Sequence, residues 1–238
     1  MLTGIHTGRY HFRGLKLAGL LKRLLEETPQ NMKYRISSIE ITEVDDELIK
    51  LMKENDRILP HLHIPVQSAC DATLKRMNRP YTVEEFKDRL DEIRKAVPEI
   101  SVSTDVIAGF VQESDEEFET TRANLEEMGF SFLHVFPYSR RKGTKADSMT
   151  GFVPDDEIKR RTRVLLNLSD ELRKADMERF SEAEMLVERQ AGENRYTGYT
   201  ANYQPVVVIS QKPVEGRIRI KVDEIRDGQL IAQVKEEY

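Results

Sequence analysis

Two histidines one residue apart, His61 and His63 in HLHIPVQS (61–68), are the first residues whose types and spacing could do chemistry. If the segment is a strand, alternation puts both imidazoles on one face and Leu62 and Ile64 on the other. Imidazoles at i, i+2 could ligate a metal, with His134 and Asp105 as candidate further ligands of a hydrolase. They serve equally well as structural or substrate-contacting groups. Gln67 and Ser68 follow at the C-terminal mouth of the strand, where α/β sheets carry their chemistry. A second candidate is DVIAGFVQE (105–113), a strand running into Gly109, where a ligand could approach the backbone closely. Glu113 lies just beyond, beside a helix start whose amides suit an anionic group. The plain alternative is a strand–helix turn with acids complementing the helix dipole. Glu40, closing YRISSIE (34–40), could hold an ammonium or a ribose hydroxyl, or be a solvated cap. In PYSRRKGT (137–144), Tyr138 precedes Arg140, Arg141 and Lys142. An aromatic ring beside cations is what looped or single-stranded RNA requires, and a solvated charged loop is the simpler reading. Cys70 suits packing at a helix start better than nucleophilic attack, since no base is fixed near it by spacing.

The elements that must position these groups alternate. Residues 1–5 read as a very short strand, an abrupt start for a domain. Leu15, Leu17, Leu20, Leu21, Leu24 and Leu25 make an amphipathic helix closed by Pro29. Residues 34–40 are a second strand. Thr42 or Asp45 caps a helix with Leu48, Ile49, Leu51 and Met52 as its apolar stripe. The His61 segment is the third strand, with Pro65 tolerated only at a strand end or irregular edge. Asp71 is expected to cap the next helix, which carries Leu74 and Met77 on one face. Thr82 with Glu85, and Ser114 with Glu117, are capping boxes that open two further helices. Those helices stop at Pro98 and Gly129. Residues 102–110 and 132–137 are the fourth and fifth strands. Five strands alternating with four helices predict a parallel β/α sheet or barrel. Residues 154–181 read as one long charged helix. Past residue 182, short apolar runs about 10–12 residues apart predict a small all-β barrel or sandwich. The expected division is 1–150, a linking helix over 151–182, and 183–238.

With 238 residues and a net charge of −5, the chain as a whole is not the basic type that announces a nucleic-acid binder. Any RNA site must be a local patch. No apolar run is long enough to span a bilayer and no secretory signal opens the chain, so a cytoplasmic location is the default. A single cysteine excludes an intramolecular disulfide and a cysteine metal cluster within the chain.

The motifs LTGIHTGRY (2–10), RISSIE (35–40), HLHIPVQS (61–68), LKRMNRPYT (74–82), TDVIAGF (104–110), EEFETT (116–121) and HVFPYSRRKGTKA (134–146) converge on one family. In order and spacing the chain resembles the tRNA methylthiotransferases of the radical S-adenosylmethionine class. It is most similar to the branch acting on threonylcarbamoyladenosine next to the anticodon. YTGYTANYQPVVV (196–208) resembles the core of a TRAM domain, a small RNA-binding β-barrel. The resemblance implies an α/β fold: an incomplete (β/α)6 radical SAM barrel followed by an all-β, OB-like TRAM barrel. Members bind one 4Fe-4S cluster through a CxxxCxxC loop after the first barrel strand and a second through N-terminal cysteines. Neither set exists here. The resemblance therefore implies the C-terminal part of such an enzyme, beginning at its second barrel strand, with an N-terminal cluster-bearing segment supplied upstream and no turnover by this chain alone. By motif position, Glu40, His63, Gln67, Asp105, Gly109 and Glu113 are the implied S-adenosylmethionine contacts. Arg79, whose planar fork suits a carboxylate or phosphate, falls with Tyr138, Arg140, Arg141, Lys142 and Tyr199 to the tRNA anticodon loop. The implied reaction takes hydrogen from adenine C2 with a 5′-deoxyadenosyl radical and inserts a methylated sulfur. Two departures stand out: Ala69 where the family has Gly, and Val111-Gln112 where it has Pro-Gly. The second endangers a turn that needs positive φ. The alternatives are a non-catalytic RNA-binding module and a metal hydrolase built on His61 and His63.

Overall fold

Parallel pairing begins at the second residue. Leu2 donates to Arg35 O at 2.8 Å and accepts from Ser37 N at 3.0 Å. The computed structural model describes residues 1–4 and 6–237, without the side chains of Glu236 and Glu237. The expected first strand is thus reduced to the bridge at Leu2, and its last residue, Ile5, lies outside the described residues. The second strand is likewise a run of single parallel bridges, Leu2 to Ile36, Tyr34 to Ile58 and Ser38 to His63. Its residues Tyr34, Ile36 and Ile39 are nevertheless buried.

The regular sheet has three parallel strands in the order β1 (His61–His63), β2 (Ser101–Ala108), β3 (Phe132–Pro137). Pro65 ends β1 early, and the Thr104 side chain repairs the gap. Thr104 Oγ1 accepts from Val66 N at 2.8 Å and donates to Ile64 O at 2.7 Å, so these two backbone groups are not left bare. Pairing then resumes between Gln67 and Val106.

The helices are α1 (Leu17–Glu27), α2 (Asp46–Glu54), α3 (Asp71–Arg76), α4 (Val83–Ala96), α5 (Asp115–Met128) and α6 (Asp155–Met177). Asp45 caps α2 through Leu48 N, and both capping boxes form. The expected cap of α3 is corrected. Cys70 occupies the N-cap position, and the Asp71 carboxylate instead accepts from Val83 N at 2.7 Å, joining two helices. Long α6 lies over β2 and β3. Its Ser169 hydroxyl accepts from Leu133 N and donates to Leu133 O, covering an otherwise open pair of strand groups. Ile158, Leu165 and Leu168 of α6 are buried, as their spacing predicts.

After α6, β4 (Glu182–Gly192), β5 (Arg195–Thr200), β6 (Pro205–Ile209), β7 (Arg217–Arg226) and β8 (Gln229–Glu237) form a closed barrel in the order β4-β5-β6-β8-β7. Met185, Val206, Val208, Ile218, Ile220 and Leu230 fill it. Gly198 is required where β4 crosses β5, because a Cβ there would lie 1.9 Å from Leu186 O. The barrel docks on the parallel sheet through polar groups. Buried Asp176 accepts from Ser101 Oγ at 2.7 Å and from Gln204 Nε2, and Arg35 donates to Thr200 O and Ala201 O, both at 3.1 Å.

Candidate functional site

The inner face of the parallel sheet carries a line of polar groups that its register creates. His63 pairs with Ser103, and Asp105 with His134, so strand alternation turns all four side chains to one face. His63 Nδ1 lies 2.9 Å from Ser103 Oγ, and its Nε2 lies 3.2 Å from Asp105 Oδ1. His61 Nε2 reaches the same hydroxyl at 3.3 Å, which confirms the shared face of the two histidines. His134 completes a set in which donor atoms of His63, Asp105 and His134 all lie within 4.8 Å of one another. Of the expected metal set, His63, Asp105 and His134 thus gather, and His61 is not among them. Both ring nitrogens of His63 are already engaged, by Ser103 and Asp105, and this disfavours the hydrolase alternative.

His61 is only 5% exposed, and its Nδ1 has no partner. Burial, then the charges of Arg35, His63 and His134, drive its pKa down to about 3, so the ring is neutral. Burial also lowers His134, with His63 next in effect. A cavity of about 200 Å³ opens here, walled by Arg35, Ser37, Ser38, His61, His63 and His134. Its far wall belongs to the C-terminal barrel: Tyr203 lies 4.9 Å from the His61 ring and stacks on Tyr199 at 4.7 Å, with the Arg35 guanidinium 4.7 Å from its centroid. Tyr199 also lines an adjoining cavity of about 460 Å³ that runs along Leu186 and Glu188.

The other expected residues lie in different settings. Gln67 adopts φ +66° and is held by backbone bonds to Asp105 O and from Ile107 N. Glu40 and Arg79 pair with each other at 3.1 and 3.2 Å, so neither charge is unpartnered. Gly109 has φ +76°, but its open side is taken. A Cβ there would meet Ile158 Cγ1 at 2.5 Å, so α6 and not a ligand approaches this backbone. The Gly109 amide donates to Glu113 Oε2 at 2.9 Å, and Arg161 Nη1 meets the same oxygen at 2.8 Å. Burial raises the Glu113 pKa, against the pull of Arg161 and Gly109. The amides at the start of α5 are used by the Ser114–Glu117 box. The expected anion site there is corrected to a buried ion pair that braces the sheet end. Gln112 keeps the turn without glycine: it takes φ +63° and bonds Gly151 O and Thr150 O.

Tyr138 packs edge-on to Phe110 at 5.1 Å and stacks with Phe152 at 6.5 Å, its hydroxyl buried without a partner. Arg140 is tied to Asp147 and lies 4.1 Å over the Phe152 ring, while Arg141 and Lys142 are exposed. Ser103, Arg35 and Tyr203 were not singled out from the sequence. Ser103 was legible there, since it alternates with Asp105 along the strand. Arg35 and Tyr203 were not, because their contact spans two units of the chain.

An inward-facing polar line on a parallel β/α sheet, with a β-barrel at its rim, is an enzyme-like arrangement. The Radical SAM superfamily model matches residues 5–125, about half of the chain. The chain is 39% identical, over its whole length, to the threonylcarbamoyladenosine tRNA methylthiotransferase of Bacillus subtilis. It therefore belongs to the radical SAM superfamily, and the curated proteins it is similar to are tRNA methylthiotransferases. It covers 55% of the B. subtilis relative. The same-named enzyme of Thermotoga maritima is 42% identical over 69% of the chain and 38% of that protein. The tRNA-2-methylthio-N(6)-dimethylallyladenosine synthase of Endomicrobium trichonymphae is 38% identical over 72% of the chain and 41% of that protein. The chain thus spans about half or less of the curated relatives it matches. Among solved structures, the radical SAM enzyme coproporphyrinogen III oxidase of Escherichia coli aligns with a TM-score of 0.51 at 19% identity, over 65% of this chain and 37% of that one. That is a likeness of fold. Among the described residues no helix is long and apolar enough to cross a membrane.

Proposed function

We propose that this chain provides the substrate-holding part of a tRNA methylthiotransferase acting at C2 of N6-threonylcarbamoyladenosine next to the anticodon, in the cytoplasm. The observation that carries this reading is the match of the whole chain, at 39% identity, to a relative bearing that activity's name. In this reading residues 1–150 are a partial radical SAM β/α barrel, 151–182 its closing helix, and 183–238 a TRAM domain.

S-adenosylmethionine, when bound, supplies the radical in such enzymes. By motif position, His63 and Asp105, which bond each other on the inner face with Ser103 behind them, are the groups proposed to meet its polar atoms. Glu40 and Gln67 are proposed as further contacts, while Gly109 and Glu113 brace the sheet end. The residues do not fit an iron–sulfur cluster. Such clusters need several thiolates, and the one cysteine, Cys70, is buried at the start of α3. In this reading a cluster's ligands belong outside this chain. Arg141, Lys142 and Tyr199 are proposed to meet the tRNA anticodon loop, with Arg79, Tyr138 and Arg140 shaping the surface between them.

The test has two parts. An anticodon stem-loop carrying threonylcarbamoyladenosine binds the chain. The chain joined to a cysteine-bearing N-terminal half, with reconstituted clusters and reductant, methylthiolates that RNA. Binding without any methylthiolation favours the non-catalytic RNA-binding alternative, and absence of both defeats the proposal.

A further inference from the structure

Arg35 is a guanidinium held by neutral groups. It donates to the carbonyls of Thr200 and Ala201, its flat face lies on Tyr203, and no carboxylate pairs with it among the described residues. Burial is the main pull on it, lowering its pKa, and the nearest acid felt is exposed Glu188. Carbonyl dipoles orient a guanidinium but do not cancel its charge. A desolvated cation without a counter-ion favours the arrival of an anion.

The charge reaches the 200 Å³ cavity, where Arg35 is one of the wall residues and helps hold His61 neutral. On the same wall stand hydroxyls of Ser37 and Ser38 and the imidazoles of His61, His63 and His134. One buried nitrogen among them, His61 Nδ1, has no partner. With Asp105 as carboxylate, the chain Asp105–His63–Ser103–His61 has one consistent polarity. His63 Nε2–H donates to Asp105, Ser103 O–H donates to His63 Nδ1, and His61 Nε2–H donates to Ser103. His61 Nδ1 is then a bare acceptor. The cavity thus asks for an anionic oxygen group that also carries an N–H or O–H donor. Its volume falls below the ~300 Å³ at which sites for whole drug-sized ligands begin, so it suits a substituent rather than a nucleotide.

We infer that this cavity takes the carboxylate-bearing threonylcarbamoyl arm of the substrate adenosine, with Arg35 pairing the carboxylate and His61 Nδ1 accepting from the arm's N–H or O–H. The inference rests on the function proposed above and assigns a specificity subsite within it. The same chemistry of an anionic oxygen could come from an RNA phosphate or from the carboxylate of S-adenosylmethionine, and the test separates these.

Binding to the full chain is measured for anticodon stem-loops bearing threonylcarbamoyladenosine, its carboxyl methyl ester, dimethylallyladenosine or plain adenosine, and for the free modified nucleoside and its ester. The acid is expected to bind about tenfold or more tightly than its ester in both RNA and nucleoside, the worth of one charge-assisted pair. R35Q abolishes that preference. Esterification alters the ligand and not the protein, so the result stands even if R35Q loosens the barrel docking. Equal binding of acid and ester overturns the subsite while leaving the RNA reading in place. A loss in R35Q shared equally by all four RNAs assigns Arg35 to a phosphate and overturns it too. Displacement of the nucleoside by S-adenosylmethionine alone assigns the cavity to the cofactor and overturns it. Discrimination by the nucleoside with no RNA binding upholds the subsite against the RNA reading, and absence of all binding removes both.

Discussion

Asp105 Oδ1 lies 3.2 Å from His63 Nε2, across two adjacent parallel strands. The carboxylate can only accept, so it requires a proton on Nε2 and leaves Nδ1 of the neutral ring to accept from Ser103. Long-range proton–nitrogen spectra near neutral pH should therefore show His61 as the Nε2–H tautomer. In S103A the His63 ring loses its fixed orientation, and its nitrogen shifts should move toward a tautomer mixture. An Nδ1–H tautomer at His61 in the unaltered chain would contradict the polarity on which the cavity chemistry depends.

His61 titrates in the unfolded chain near the ordinary 6.5 but in the folded one only at about 3. Below pH 6.5 the unfolded state binds the extra proton, so stability falls with pH through the window from 6.5 down to 3. From neutral pH to about pH 4.5 this one group should cost about 2–3 kcal/mol. H61Q removes the titration while keeping a donor toward Ser103. Urea midpoints measured against pH should fall less steeply in H61Q than in the unaltered chain. Parallel profiles would show that His61 does not govern the acid limb.

The Arg161–Glu113 pair is nearly sealed, with side-chain exposures of 4% and 1%. R161M strands a buried carboxyl and should cost on the order of 3–5 kcal/mol of unfolding free energy. The double variant R161M/E113Q removes the charge on both sides and should recover a good part of that loss. Strictly additive single and double variants in denaturant titrations would mean the two groups act independently.

RNA binding, if it runs through the exposed loop cations, must weaken with salt because counterions are released from the phosphates. R141Q and K142Q should each flatten the plot of log affinity against log salt by about 0.7 for a single-stranded target. R140Q should change that slope little and instead lower the order of the 138–152 segment, since Arg140 is committed to Asp147 and Phe152. A slope unmoved by R141Q/K142Q would take the RNA away from this loop.

The alternation of apolar runs and the two capping boxes made α4, α5, β2, β3 and the all-β segment legible from the chain alone, because each depends on neighbours within a turn or a strand repeat. The shared face of His61 and His63 was legible for the same reason. Local pattern could not tell that Cys70 and not Asp71 would cap α3, or that Ile158 would fill the space beside Gly109. It could not show that Glu113 would bury against Arg161, or that Arg35 would find Thr200 and Ala201 instead of an acid. Those outcomes are set by segments tens to hundreds of residues apart that meet only when α6 and the C-terminal barrel close over the sheet. Residue type and spacing determined which chemistry the chain can offer. Packing alone decided which of those groups meet in one cavity, and which are spent on holding one another.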